Sequence, residues 1–474
     1  MIGIVREPPV AGYPLTLSVM ATGTFLAMTA YTGPLGNGVT LAAEFGSTTA
    51  GLSWILASMS VGLAVTLLPA GVVADRWGRR RVFVLGALVF VVSNVACALA
   101  DSTGLFVLAR IGAGVGATGM IATGLGLVTA LPGAATRQAT TSTWWSIAMG
   151  CGIAAGPVVA GLLDLIDSWR WFYVLLAAGG IVTGVGAIRS VPRDLPSAAV
   201  PARRFDALGF ILLLAFLAVF ITAVVEMRSR DVPGVLSLFT ASAILLTGLV
   251  ISQSVGSRRL IAPELLRRRA FLAATGAGLG AGLGVVSIMA FVPTYLVLEL
   301  GMSTVEAGAT STLWSATSAV AALAFSRFSA AVSGPTQLVC GLLGVSIGVL
   351  LMSGVSSDGG LPRLMVGLVI AGIATGVLNG GLARQSTATV PPDDAAMGTA
   401  ATNTARYLGG AIGVSLASII VAGPRTAEGW DVVVWAVVGV SLLSAVVVLW
   451  SRGLPAIVTL RRFTQRAVSR YPRG

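Results

Sequence analysis

The chain has no lysine, no histidine and only three cysteines in 474 residues. All of its basic side chains are therefore arginines, and the formal charge of +12 is constant across physiological pH. The absence of histidine removes the commonest general base and metal ligand. Cys97, Cys151 and Cys340 all lie within apolar runs, where they read as small core residues and not as a disulfide or metal set. Charge is scarce as well: 10% of residues are charged, against about 25% in soluble domains. There is no nucleotide-binding P-loop and no pair of carboxylates inside an apolar run. These absences argue against an enzyme, a bound cofactor, a metal site and direct use of ATP.

Long apolar runs make up most of the chain: 55% of residues are hydrophobic. Many runs exceed the roughly 18 residues needed to cross a hydrocarbon core of about 30 Å. The alternating pattern of a β-barrel is absent. The reading is an all-α polytopic membrane protein. Fourteen spans can be placed. Six lie near 13–36, 49–73, 82–100, 104–129, 139–163 and 170–190, and two near 207–226 and 234–255. Six more lie near 271–298, 305–326, 336–354, 362–384, 396–421 and 431–451. The first run has no small-residue cleavage site and reads as a retained span.

Arginine placement gives the expected orientation. With both termini cytoplasmic, nine arginines fall in the inner loops at 75–81 and 256–270 alone. The outer segments keep only Arg170, Arg228, Arg230, Arg363 and Arg425. Arginines confined to loops between spans set membrane orientation and do not suggest nucleic acid. The basic tail after Trp450 is expected to lie on anionic lipid at the inner surface or to be solvated. Trp435 and Trp450 read as interfacial anchors.

The densest polar motif is Gly71-Val-Val-Ala-Asp75-Arg76-Trp-Gly78-Arg79-Arg80-Arg81, a short bend between two spans. Asp75 there can cap a neighbouring helix N-terminus or pair with an arginine. The fourth span holds Leu105-x4-Arg110-x3-Gly114-x-Gly116-Ala117. An arginine inside a span must face protein or a wet cavity, or bond to backbone carbonyls. The fifth span holds Gly152-x3-Gly156-Pro157-x2-Ala160-Gly161, in which Pro157 removes a helical hydrogen bond and the glycines offer a flat packing face. Among 60 glycines a spacing of four is weak by itself; Pro157 and the following Trp169-Arg170-Trp171-Phe172 strengthen it. The thirteenth span holds Asn403-x2-Arg406-x2-Gly409-Gly410-x2-Gly413.

Together these motifs resemble the major facilitator superfamily, and specifically its fourteen-helix drug:proton antiporters. Pro263-Glu-Leu265-Leu266 and Gly301-Met-Ser303-x2-Glu306-Ala307-Gly308 extend the resemblance over nearly the whole chain. It implies a major facilitator fold: an N-terminal six-helix half (1–193), two extra helices (194–256), a C-terminal six-helix half (257–452) and a basic cytoplasmic tail (453–474). It further implies a multi-pass protein of the bacterial plasma membrane that exports small amphipathic compounds by alternating access with proton coupling. Alternatives on the same fold are a dedicated metabolite or lipid carrier, an importer, or a transport-dead scaffold or sensor. The expected partners are a small-molecule substrate, membrane lipid and a proton.

The resemblance assigns conformational roles to Gly71, Asp75, Arg76, Gly78, Arg79, Arg80, Gly152, Gly156, Pro157 and Gly161. Candidate substrate contacts are Tyr31, Asn37, Arg110, Trp144, Trp145, Met149, Tyr295, Trp314, Asn403, Arg406 and Tyr407. Their aromatic and sulfur surfaces suit flat apolar ligands. The family's first-helix aspartate falls at Ala30 here, a usual ninth-helix glutamine at Val297, and a fourth-helix glutamine at Ala113. All eighteen acids lie in loops or near span ends, whereas Arg110 and Arg406 lie deep in spans. That balance favours neutral or anionic substrates, and it leaves Asp75, Glu226 and Glu299 as the candidate proton carriers.

Overall fold

The computed structural model describes residues 12–129, 131, 134–191, 206–227, 232–255, 263–325, 332–355, 360–391, 394–421 and 426–451. The basic tail at 453–474 and most of both connections flanking the central helix pair lie outside the described residues. All described elements are helices. The first group is α1 (Tyr13–Thr32), α2 (Pro34–Glu44), α3 (Thr49–Trp77), α4 (Arg79–Ala98), α5 (Thr103–Thr129), α6 (Ala134–Asp164) and α7 (Trp169–Ser190). A pair follows, α8 (Ala207–Glu226) and α9 (Val232–Val255). The last group is α10 (Pro263–Leu266), α11 (Arg269–Ala281), α12 (Ser287–Leu298), α13 (Thr304–Phe325), α14 (Gly334–Leu350), α15 (Leu361–Ala388), α16 (Ala395–Val421) and α17 (Thr426–Ser451). A π-helical turn, Gly282–Val286, joins α11 to α12.

Eleven stretches among the described residues are long and apolar enough to cross a membrane, and α14 is a shorter apolar helix. They make the chain a multi-pass membrane protein. α13 and α16 occupy the positions of the expected tenth and thirteenth spans. The first expected span differs in shape. It breaks at Gly33 and resumes at Pro34, which starts α2, and helix then continues to Glu44. Proline fits a first helical turn because the N–H it lacks would be unpaired there.

In the first group α5 packs on α1, α3 and α4, while α6 lies against α1 and α7 against α4. In the last group α15 packs on α13 and α14, and α11 lies against both α16 and α17. The groups meet along two seams, α3 with α16 and α6 with α13 and α15. The α8–α9 hairpin sits outside, with α8 against α3 and α16. Asp206 closes this hairpin: it accepts 2.9 Å and 2.6 Å hydrogen bonds from the Gly209 N–H and Gln253 Nε2. At the other end of α8, Trp54 Nε1 on α3 donates to Glu226 at 2.9 Å.

Backbone polar groups set the local geometry, because lipid offers no water to satisfy them. Pro34 has no N–H, so the Ala30 carbonyl one turn earlier loses its helical donor. Pro157 deprives Ile153 in the same way. Thr32 Oγ1 reaches the second stranded carbonyl: its one proton is shared between Ile153, at 3.1 Å across the α1–α6 contact, and Met28 on its own helix at 3.0 Å. The glycine face of α6 makes this reach possible. A Cβ on Gly152 would lie 2.5 Å from the Phe25 carbonyl oxygen, and one on Gly36 would lie 2.1 Å from that of Pro157.

Gly156→Ala tests this packing. Helix propensity alone favours alanine by about 1 kcal/mol. The new Cβ would lie 2.1 Å from Thr32 Oγ1 and 2.6 Å from the Thr29 carbonyl oxygen, which is backbone and cannot swing away. The clash outweighs propensity, and a net loss of about 1–3 kcal/mol is expected. It is read as a lower thermal midpoint of the detergent-solubilised protein. A raised midpoint would show that α1 and α6 are less closely apposed.

Candidate functional site

The Asp75 bend joins the two groups. Gly78 at the turn from α3 to α4 has φ +102°, a conformation that L side chains rarely adopt. The turn places Arg79 one helical turn from Asp75, and Arg79 Nε donates to Asp75 Oδ1 at 3.0 Å. Arg79 also donates to the Gly126 carbonyl at 2.9 Å, and Arg80 donates to the Ile188 carbonyl. Both carbonyls lie in the last turns of their helices, α5 and α7, where no helical donor remains. The arginines of the bend therefore cap two helix C-termini. Asp75 Oδ2 accepts a 2.8 Å bond from the Met397 N–H in the first turn of α16. Both roles read for Asp75 are present together: it pairs with an arginine and caps a helix N-terminus across the α3–α16 seam. Gly71 is buried within α3, and Arg76 lies in its last turn.

A second cluster lies deeper, where α1, α6, α15 and α16 converge. Arg406 is 6% exposed, and its NH1 donates to Met149 Sδ at 2.9 Å, with Asn379 Oδ1 at 3.4 Å. A thioether is a weak acceptor and the amide contact is long. Beside Arg406, Tyr407 is buried and its hydroxyl donates to Met28 Sδ at 3.7 Å. The Tyr31 and Tyr407 rings meet edge-on, centroids 5.8 Å apart. Met149 and Asn379 thus hold the Arg406 guanidinium, and Met28 and Tyr31 meet the adjoining Tyr407, so the cluster draws on four helices. Among the described residues Arg406 makes no ion pair. Asn403 is buried nearby in sequence, but its amide donates to Thr399 on its own helix at 2.9 Å. Met28 and Asn379 were not anticipated; an asparagine inside an apolar span was the signal for Asn379.

Arg110 is 1% exposed and also lacks an ion pair among the described residues. Its NH1 donates to the Ala30 carbonyl at 2.6 Å and its NH2 to the Tyr31 carbonyl at 3.3 Å. The first of these is the carbonyl that Pro34 leaves open. Of the two readings for this arginine, bonding to carbonyls describes its observed contacts. Its Nε has no hydrogen-bond partner.

The other candidates do not gather at this cluster. Trp144 is 45% exposed on α6, whereas its neighbour Trp145 is buried. Tyr295 stacks on Trp430 at 4.2 Å and donates to the Val355 carbonyl, inside the last helix group. Trp314 Nε1 donates to Thr375 at 3.1 Å between α13 and α15. Asn37 is buried in non-helical backbone within α2, and neither of its amide atoms has a partner. A Cβ on Gly161 would lie 3.5 Å from the Gly36 carbonyl oxygen, an ordinary contact distance. Glu226 is engaged by Trp54, and Glu299 follows the last residue of α12.

Arg110→Leu separates a structural from a ligand-contacting role. It strands two carbonyls, each costing about 1–3 kcal/mol when buried without a donor. The expected result is a clear fall in thermal midpoint in detergent before any ligand is added. A wild-type midpoint would contradict the carbonyl assignment.

The family model described as Major Facilitator Superfamily matches residues 20–288 and 270–462. A probable actinorhodin transporter of Streptomyces coelicolor is 31% identical over 390 residues, covering 79% of this chain and 66% of that protein. A multidrug resistance protein B homolog of Mycobacterium tuberculosis is 27% identical over 388 residues, covering 80% and 71%. The chain thus spans about two thirds of the length of these relatives. Among solved structures, the proton:xylose symporter XylE superposes with a TM-score of 0.67 at 14% identity, over 92% of this chain and 94% of that one. The match to the family model covers most of the sequence: the chain belongs to the Major Facilitator Superfamily.

Proposed function

We propose that this protein is a secondary exporter of small amphipathic compounds, with a preference for neutral and anionic ones. The observation that carries the proposal is Arg406, buried at the seam between the halves with a thioether and a distant amide as its acceptors. A carboxylate, phenolate or carbonyl oxygen is a far better partner for a guanidinium. The Tyr31 and Tyr407 rings offer the apolar surface such a ligand needs. The names of the relatives, an actinorhodin transporter and a multidrug resistance protein, support export and an amphipathic cargo.

In this reading the chain is a fourteen-span member of the drug:proton antiporter group, in the plasma membrane with both termini cytoplasmic. The density of arginines supports a cytoplasmic position for the Asp75 bend. Asp75 then holds α16 against α3 and keeps the inner end shut. Protonation of Asp75 removes the charge that strengthens both of its bonds. The halves can then rock apart and expose the Arg406 cluster to the cytoplasm. Coupling requires Asp75 to take its proton from the outer side while the inner end is shut and to release it to the cytoplasm once that end is open, so that one proton crosses down its gradient in each cycle.

Fluorescein and rhodamine 123 share a ring system and differ in charge, so they make the test. Inside-out vesicles carrying the full chain should accumulate fluorescein with the higher kcat/KM. Arg406→Gln should lower fluorescein transport by about ten-fold or more, the loss of one charge-assisted hydrogen bond. Rhodamine 123 should change little. Faster rhodamine 123 transport by the wild type, indifferent to Arg406→Gln, would contradict the charge preference.

A further inference from the structure

The cleft between α11 and α17 opens at the Asp75 end of the bundle. α11 runs beside α16, with Gly278 against the Thr402 carbonyl, and Met397 in the first turn of α16 is the residue that Asp75 holds. Arg267, Arg268 and Arg269 lead into α11 at that end, and all three are exposed. Trp450, in the last turn of α17, is 67% exposed, and the Arg269 guanidinium lies over its ring, 5.0 Å from the centroid. We propose that this cleft binds one anionic phospholipid, its phosphate on Arg267, Arg268 and Arg269 and an acyl chain laid over Gly276. The inference does not depend on the export reading above.

The charge at the mouth of the cleft is uncompensated. Glu264 is the only acid between Pro263 and Ala281, and α17 has none after Asp431. Among the described residues the three arginine side chains make no ion pair and no hydrogen bond. Guanidiniums side by side repel one another, and an anion between them removes that repulsion. A phosphate also matches their shape, because one guanidinium can give it two parallel hydrogen bonds. The ring contact with Trp450 fixes Arg269 in place without supplying an oxygen acceptor, so its five N–H donors stay open to such a partner.

Below the arginines the cleft is apolar and has room. The two helices touch deeper in the span, where a Cβ on Gly280 would run into Ser444. One helical turn nearer the arginines they have parted: a Cβ on Gly276 would meet only Val447, at 3.9 Å. Leu272 on α11 and Val447 on α17 are both exposed there. The rise from Arg269 to Gly276 is roughly 10 Å. One headgroup layer is about 5–8 Å deep, so Gly276 stands at acyl-chain depth when Arg269 is level with the phosphates. A free phosphate would use the arginines and leave the groove empty of purpose, whereas a phospholipid uses both. Its headgroup must carry net negative charge, because a zwitterionic one brings its own cation to a site that already holds three.

Native mass spectrometry of the full chain in detergent tests the site. The probes are dioleoylphosphatidylglycerol, dioleoylphosphatidylcholine and soluble glycerol phosphate, which separate an anionic lipid from a neutral one and from a bare headgroup. The first phosphatidylglycerol should bind more tightly than the first phosphatidylcholine, and glycerol phosphate at equal concentration should not displace it. Arg269→Gln should weaken that first binding by about five-fold. Arg189→Gln, which removes an exposed arginine from the last turn of α7, should leave it unchanged. Gly276→Leu should also weaken binding while every arginine is kept, because the new side chain fills the groove. That variant substitutes into open space, and it carries the test should Arg269→Gln not yield a monodisperse protein. Equal binding of the two lipids, or equal effects of Arg269→Gln and Arg189→Gln, would overturn the proposal. So would wild-type binding by Gly276→Leu, or displacement by glycerol phosphate, since the ligand would then be a phosphate group and not a lipid in the cleft.

Discussion

A proline inside a membrane span strands a carbonyl, and lipid has no water with which to satisfy it. Of the carbonyls left open by Pro34, Pro69 and Pro157 in the first half of this protein, two are met by side chains of other helices. Ala30, stranded by Pro34, is claimed by Arg110 on α5, and Ile153, stranded by Pro157, is claimed by Thr32 on α1. Each repair ties two helices together at the point where one of them bends or loses a bond. The glycines at 36, 152 and 156 follow from the same need, because the repairing side chains are short of reach unless the backbones nearly touch. The kink, the buried arginine and the glycine face thus form one polar-satisfaction network around α1.

Arginine performs a similar service at the end of the bundle that holds the Asp75 bend. Arg79 and Arg80 cover carbonyls in the last turns of α5 and α7, and a planar guanidinium with five donors suits that task better than an ammonium would. Asp75 differs from its neighbours because it bonds to the other half. One carboxylate serves Arg79 with one oxygen and the Met397 N–H with the other. The contact is narrow, directional and dependent on charge, and these qualities suit a latch that must release. Arg406 is the counterpart at depth. Its partners are two residues from different helices, one of them on the opposite half: a weakly accepting thioether and an amide oxygen held at a distance.

Much of this was legible in the sequence wherever chemistry restricts the choices. Asp75 in a basic bend could cap or pair, and it does both. Gly152, Gly156 and Pro157 announced a close helix contact, although the contacting helix could not be named. Arg110 was left between a ligand and a carbonyl role because the sequence does not show that Pro34 opens a carbonyl beside it. The aromatic candidates were the least legible. In a span both the lipid-facing and the protein-facing sides are apolar, so periodicity does not reveal which way a tryptophan points. Trp144 and Trp145 are adjacent, yet one is 45% exposed and the other buried. Tyr295 and Trp314 lie within the last helix group for the same reason: their polar atoms found partners on neighbouring helices of that group. Met28 gave no signal, since a methionine in a span is ordinary until a tyrosine hydroxyl is seen to face its sulfur.

The account depends on the Asp75 contact being one state of a switch. Trp77 at the end of α3 and Ala388 at the end of α15 are exposed at the same end of the bundle, one on each half. Spin labels on Trp77→Cys and Ala388→Cys, in a chain otherwise free of cysteine, report the separation of the halves there by pulsed dipolar spectroscopy. The account predicts one short distance in the unliganded protein and a second, longer population when Asp75 is replaced by asparagine. A single distance that does not respond to Asp75→Asn would contradict it.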